Sequence, residues 1–143
     1  MITVVAFKGE HLVELLENGA QSYLRSCFSD DVLAAMEKSP FNRTAIDEAG
    51  MPIACAGVSE YWPNRAEAWA FLRPGWERHR FSVHKAVKHF LSECPVKRVE
   101  ASVEVGFIAG HRWVEALGFK MEAPFMEAYQ PNGADCSLYS RVK

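Results

Sequence analysis

The 143-residue sequence has no CxxC pair, no uninterrupted apolar run of bilayer length, no low-complexity segment and no internal repeat. Cys27, Cys55, Cys94 and Cys136 lie far apart, which excludes a zinc knuckle or a small disulfide framework and leaves buried free thiols as the expectation. A strong charge of either sign is also missing. Lys and Arg number 16 against 18 Asp and Glu, a formal charge of -2, so no broad basic surface recruits nucleic acid by counterion release. The opening MITVVAFKGE has no basic segment followed by a long apolar one, and the expectation is a soluble cytoplasmic protein without membrane contact. Metal ligation is not expected either. His79, His84 and His89 are spaced by five and turn progressively around a helix instead of sharing a face.

What is present is a core-forming composition, 49% hydrophobic and 24% charged, which predicts one domain over residues 1–143. Ile2–Phe7 reads as a strand, and the shared face of Leu12, Leu15 and Leu16 as a helix. Ser29-Asp30-Asp31 predicts an N-cap and acidic first turn for a second helix, closed by Ser39-Pro40. Thr44–Asp47, Ile53–Tyr61 and Glu67–Arg73, punctuated by EAGMP and WPNRA, predict a three-stranded meander. After Pro74-Gly75, the spacing of Val83, Val87, Phe90, Leu91 and Cys94 predicts the longest helix. Arg98–Val105 alternates Val99, Ala101, Val103 and Val105 with Arg98, Glu100, Ser102 and Glu104, predicting a strand with one buried and one polar face. A helix through AGHRWVEALGF is stopped by Gly118. Strands from Phe119 towards Tyr129 and over Cys136–Val142 follow, joined by Pro131-Asn132-Gly133. The order β-α-α-β-β-β-α-β-α-β-β predicts an α+β (mixed α/β) domain built on a mixed, mostly antiparallel sheet of about seven strands.

That order, with PGWERHRFS ahead of the long helix and GHRWVEALGF at the later helix-to-strand junction, resembles the GNAT (Gcn5-related N-acetyltransferase) superfamily over nearly the whole chain. The resemblance implies an N-acyltransferase that uses acetyl-CoA or another acyl-CoA and an amine acceptor. It places the pantetheine arm on the backbone of Phe71, Leu72 and Arg73, by strand-like hydrogen bonding. Aligned on Pro74, the family's pyrophosphate loop falls on Glu77, Arg78, His79, Arg80, Phe81 and Ser82, with Glu77 at the first basic or amide position and Arg80 at the first glycine. Arg78, His79 and Arg80 form a basic cluster that can grip phosphate by side chain.

In the family's second crossover helix, a tyrosine four residues before the closing glycine protonates the leaving thiolate; here that position is Val114, beside Trp113, and the upstream asparagine position is Phe107. Glu67 and Glu104, on the strands implied to face each other, are the candidate bases, with His79 third. Tyr129 and Tyr139 are candidate replacements for the acid. The run Arg112-Trp113-Val114 is similar to that of small GNAT-like proteins of tailed bacteriophages, some virion-associated. A second expectation follows: a GNAT-fold virion or protein-interaction protein without turnover, with a protein partner or a second copy as its ligand. Exposed tryptophans among Trp62, Trp69, Trp76 and Trp113 would favour it.

Overall fold

A computed structural model describes residues 1–19 and 21–143. The strands are β1 (Thr3–Ala6), β2 (Arg43–Ile46), β3 (Pro52–Trp62), β4 (Arg65–Leu72), β5 (Arg98–Glu104), β6 (Lys120–Met126) and β7 (Cys136–Val142). The helices are α1 (Gly9–Glu17), α2 (Asp30–Lys38), α3 (Arg80–Glu93) and α4 (Ile108–Ala116), with 3-10 segments at Ser22–Cys27 and Trp76–His79. One seven-stranded mixed sheet runs in the order β1-β2-β3-β4-β5-β7-β6, flanked by helices. The expected element order is the observed one. The chain forms two compact units, Met1–Gly57 with Trp69–Cys94, and Val58–Ala68 with Pro95–Lys143.

The first unit is built on the predicted leucine face. Leu12, Leu15 and Leu16 of α1 are all but fully buried, with Phe7, Leu33, Cys55 and Phe71 around them. Burial of each such side chain contributes about 1.5–3 kcal/mol. Phe7 meets Trp69 edge-on at 5.8 Å and Phe28 meets Phe71 at 5.7 Å, so the end of β4 is anchored by its own aromatic side chains. The Ser29 hydroxyl accepts from the Val32 N–H, the cap that Ser-Asp-Asp predicts. In the EAGMP turn the Asp47 carboxylate accepts from the N–H groups of Ala49 and Met51 at 2.9 Å, and Gly50 adopts φ +82°.

One glycine of β3 is fixed by sterics. A Cβ on Gly57 would lie 2.0 Å from Asn42 Oδ1, 2.8 Å from the Phe41 carbonyl oxygen and 2.9 Å from Asn42 Cα. Asn42 is itself buried and donates to the Met36 carbonyl at the end of α2. Since two of the three opposing atoms are backbone, Gly57→Ala is expected to cost about 3 kcal/mol, read as a lowered urea midpoint at unchanged m-value.

In the second unit, β5 pairs antiparallel with β7 from Arg98↔Val142 to Glu104↔Cys136, and β7 pairs with β6. The helix-stopping glycine behaves as its sequence predicts. Gly118 takes φ +94°, Phe119 N–H donates to Val114 O at 3.0 Å and Gly118 N–H to Glu115 O at 3.0 Å, the two bonds of a Schellman cap.

Three details depart from the sequence reading. β6 ends at Met126 instead of running towards Tyr129, because Pro124 lacks a ladder donor, the β6–β7 register slips twice, and Ala128 turns the chain at φ +50°. Glu100, on the supposedly polar face of β5, is buried because two arginines cover it, while Val105 lies past the strand end and is exposed. Cys27 is exposed on its 3-10 segment; the other three thiols are buried.

Candidate active site

The β4–β5 ladder is short. Parallel pairing covers Arg65↔Arg98, Ala66↔Val99 and Glu67↔Glu100, although β4 continues to Leu72. At the end of that continuation the Arg73 N–H donates to Ile53 O at 2.8 Å, and the Arg73 carbonyl accepts from Trp76 N–H at 3.0 Å. The Arg73 guanidinium is engaged as well, by Pro52 O at 2.7 Å and the Glu14 carboxylate at 2.6 Å. Backbone polar groups alternate sides along a strand, so Phe71 points its N–H and C=O the way Arg73 does, and Leu72 points them the other way. Of the three residues expected to hold a pantetheine arm, only Leu72 offers that opposite edge.

The residues expected to contact pyrophosphate fall together at one helix start. Gly75, at φ +90° with open space where a Cβ would be, leads into the Trp76–His79 segment and then α3. Helix α3 has no side-chain N-cap bond and no acid in its first turn, which contains Phe81 and Ser82. Arg78 and Arg80 are exposed, and neither is in an ion pair among the described residues; the Arg80 guanidinium lies 4.9 Å above the Phe81 ring. Two mobile-stemmed cations at an uncapped helix N-terminus match the needs of a phosphate ligand. Glu77 lies in the same 3-10 segment and opposes one.

The second unit carries a polar network that the sequence reading missed. Arg65 holds Glu100 with two bonds, Nε to Oε2 at 2.7 Å and Nη2 to Oε1 at 3.0 Å. Arg98 donates from Nε to Glu100 Oε2 at 2.7 Å and reaches the Glu122 carboxylate at 2.8 and 2.5 Å. Ser140 donates to Glu122 as well. The Arg65 guanidinium lies over the rings of Tyr61, at 4.6 Å, and Trp62, at 4.8 Å. The only sequence signal was an acid on an alternating face between Arg98 and Ser102, and alternation alone cannot say that the face is covered.

Glu67 sits at the last rung of the ladder and has no cation against it among the described residues. Its Oε2 accepts from the Tyr61 hydroxyl at 2.7 Å, and its Oε1 has only a 3.5 Å contact to Ser102 Oγ. That bond to a carboxylate holds the Tyr61 hydroxyl protonated, well above the usual tyrosine range. Tyr129, just past β6, is half exposed and is also pushed up, first by desolvation and then by the Glu67 charge. Glu67 and Tyr129 are therefore electrostatic neighbours.

The other candidates fare differently. Glu104 is exposed at the end of β5, where its carbonyl, not its carboxylate, is bonded. The Tyr139 ring is buried and its hydroxyl lies 2.8 Å from His111 Nδ1, while His111 Nε2 donates to the carbonyls of Glu104 and Val105 at 3.0 Å. With Nε2 protonated, Nδ1 accepts from Tyr139, so this histidine fastens α4 to β5 and β7 and the Tyr139 proton is committed. His79, the third candidate base, sits beside Arg78 in the Trp76–His79 segment; the Asp47 carboxylate is depressed first by the Met51 N–H.

No protein-family model and no curated protein matches the sequence. Solved structures do match. A probable acetyltransferase from Staphylococcus epidermidis superposes with a TM-score of 0.82 at 12% identity, covering 100% of this chain and 99% of that one. The Salmonella typhimurium protein yncA, solved with its cofactor acetyl-CoA, gives 0.74 at 15% identity, with 99% and 94% covered. The GNAT-superfamily phosphinothricin acetyltransferase of Sinorhizobium meliloti, in complex with acetyl-CoA, gives 0.69 at 18%, with 99% and 88% covered. From its first strand to its last, this chain has the fold of the GNAT acetyltransferases.

Proposed function

We propose that the protein is a GNAT-type N-acyltransferase that moves an acetyl or other acyl group from CoA to a primary amine. The observation that carries the reading is the start of α3, where Arg78 and Arg80 stand exposed and, among the described residues, without ion pairs at a helix N-terminus with no side-chain cap, reached from β4 through the Trp76–His79 segment. Their guanidiniums would hold the phosphates by side chain, with the first-turn backbone of Phe81 and Ser82 and the His79 side chain around them. The free edge at Leu72 would take the pantetheine amide. Acetyl-CoA, when bound, supplies an activated thioester acyl group.

The chain's own chemistry is proton handling. An amine reaches the protein largely as ammonium and must lose a proton before its nitrogen lone pair is available. We assign that role to Glu67 Oε1, whose one contact among the described residues is Ser102 Oγ at 3.5 Å, in preference to the carboxylate of Glu104. Tyr129, protonated at neutral pH, is the available acid. No helix among the described residues is long and apolar enough to cross a membrane, and the reaction would take place in the cytoplasm of a bacterium or of a phage's host.

A second reading is a GNAT-fold protein kept for its shape, in a phage particle or a protein complex. Glu77 in the phosphate loop, Val114 in place of an acid, and the exposed Trp62, Phe107 and Ile108 favour it. Turnover separates the two. Incubation with acetyl-CoA and butylamine is expected to release CoA thiol in step with N-butylacetamide. Bound acetyl-CoA without release across a panel of primary amines would favour the second reading.

A further inference from the structure

The region around Glu67 says more about the acceptor than that it is an amine. Five charged side chains meet in the second unit: Arg65, Arg98, Glu67, Glu100 and Glu122. Both cations are paired with Glu100 and Glu122, leaving Glu67 without an ion-pair partner among the described residues. Beside it stand Tyr61 and Trp62, 49% and 56% exposed, whose rings already hold a guanidinium within 5 Å. An unpaired carboxylate among exposed aromatic rings recognises a cation.

The hydrogen bonds narrow which cation. A guanidinium binds a carboxylate best through two parallel N–H bonds, one to each oxygen, as Arg65 does at Glu100. At Glu67 that mode is closed, because Oε2 is occupied by the Tyr61 hydroxyl, which has no other acceptor among the described residues. Only Oε1 remains, and a single oxygen suits a compact ammonium, which is a point donor. We infer that Tyr61 and Glu67 form a specificity filter that admits a primary ammonium with an apolar stem along the Tyr61 and Trp62 rings and discriminates against a guanidinium. The inference rests on the acyltransferase reading only in calling this cation the acceptor; the binding it describes needs no CoA.

The test follows the Trp62 indole and Ser102 amide by two-dimensional NMR, without acetyl-CoA, while butylammonium, propylguanidinium or butanol is added. Saturable shifts with butylammonium are expected, about fivefold weaker binding with propylguanidinium, and no saturation with butanol. Glu67→Gln should abolish saturation by both cations. Tyr61→Phe is the sharper variant, since it frees Oε2 and should erase the ammonium preference, bringing the two cations to about equal affinity. Equal affinities in the wild-type protein, a preference unchanged in Tyr61→Phe, or saturation by butanol would each overturn the filter. Ammonium binding without acyl transfer would leave the filter standing and remove the enzyme reading; transfer without ammonium binding here would do the reverse.

Discussion

Glu67→Gln is expected to lower kcat/KM for a primary amine by about 10²- to 10³-fold, the usual contribution of a positioned proton acceptor, and to leave acetyl-CoA affinity unchanged. The amide keeps the shape of the carboxylate and can still accept from Tyr61 Oη, so the local fold is retained. What it would lose is the negative charge proposed to attract an ammonium and the basicity proposed to take its proton. Both losses appear together, as a raised KM for the amine and a reduced kcat. Glu104→Gln supplies the contrast. Its carboxylate makes no hydrogen bond among the described residues, and the β5 end is held through the Glu104 carbonyl, which the substitution leaves in place. A rate near wild-type is expected, within about threefold, measured by thiol release under the same conditions. A large loss in Glu104→Gln with none in Glu67→Gln would exchange the roles of the two residues.

Glu100→Ala is expected to destabilise the protein by about 2–4 kcal/mol, with a matching fall in the urea midpoint. The Glu100 side chain is only 7% exposed and accepts three charged hydrogen bonds from two arginines. Its removal leaves Arg65 and Arg98 facing each other across an empty site. The cost stays below that of a fully buried pair because both arginines are about a third exposed and can turn to water. The same network sets an acid limit. Glu122 is held down to about 2, first by Arg98 and then by Ser140, and Glu100 is also depressed, first by Arg65. A carboxyl depressed in the folded state stabilises above its ordinary titration and ceases to do so as pH falls through the folded value. Wild-type protein should therefore lose its advantage over Glu100→Ala as pH falls below the ordinary glutamate range and through the depressed Glu100 titration, read in urea titrations at successively lower pH.

Much of the fold was written locally. The leucine face of α1, the Ser29 cap, the Gly118 stop and the Pro131-Asn132-Gly133 turn each declare themselves within a few residues, and the element order follows from them. Strand ends were less legible. The bulges and Pro124 that shorten β6 depend on what β7 offers as a partner, which no window of sequence contains. For the same reason the site was half visible. The residues proposed to hold phosphate are contiguous and could be read as a block. The Glu67 surroundings draw Tyr61 and Glu67 from one hairpin, Ser102 from β5 and Tyr129 from beyond β6, so only the sheet register brings them into one neighbourhood. Glu100 looked solvated because alternation separates polar from apolar faces but cannot say that Arg65 and Arg98 will cover the polar one.

The most direct measurement is a calorimetric titration of acetyl-CoA into the wild-type protein and into Arg78→Glu/Arg80→Glu. Both arginines are exposed and outside the core, so the variant should fold as the wild-type does, which circular dichroism can verify. Saturable binding in the micromolar range, weakened at least about 100-fold in the double variant, is the predicted result, since two charge-assisted phosphate contacts are replaced by repulsion. No heat of binding at millimolar acetyl-CoA, or wild-type affinity in the double variant, would contradict the assignment of this helix start to the cofactor.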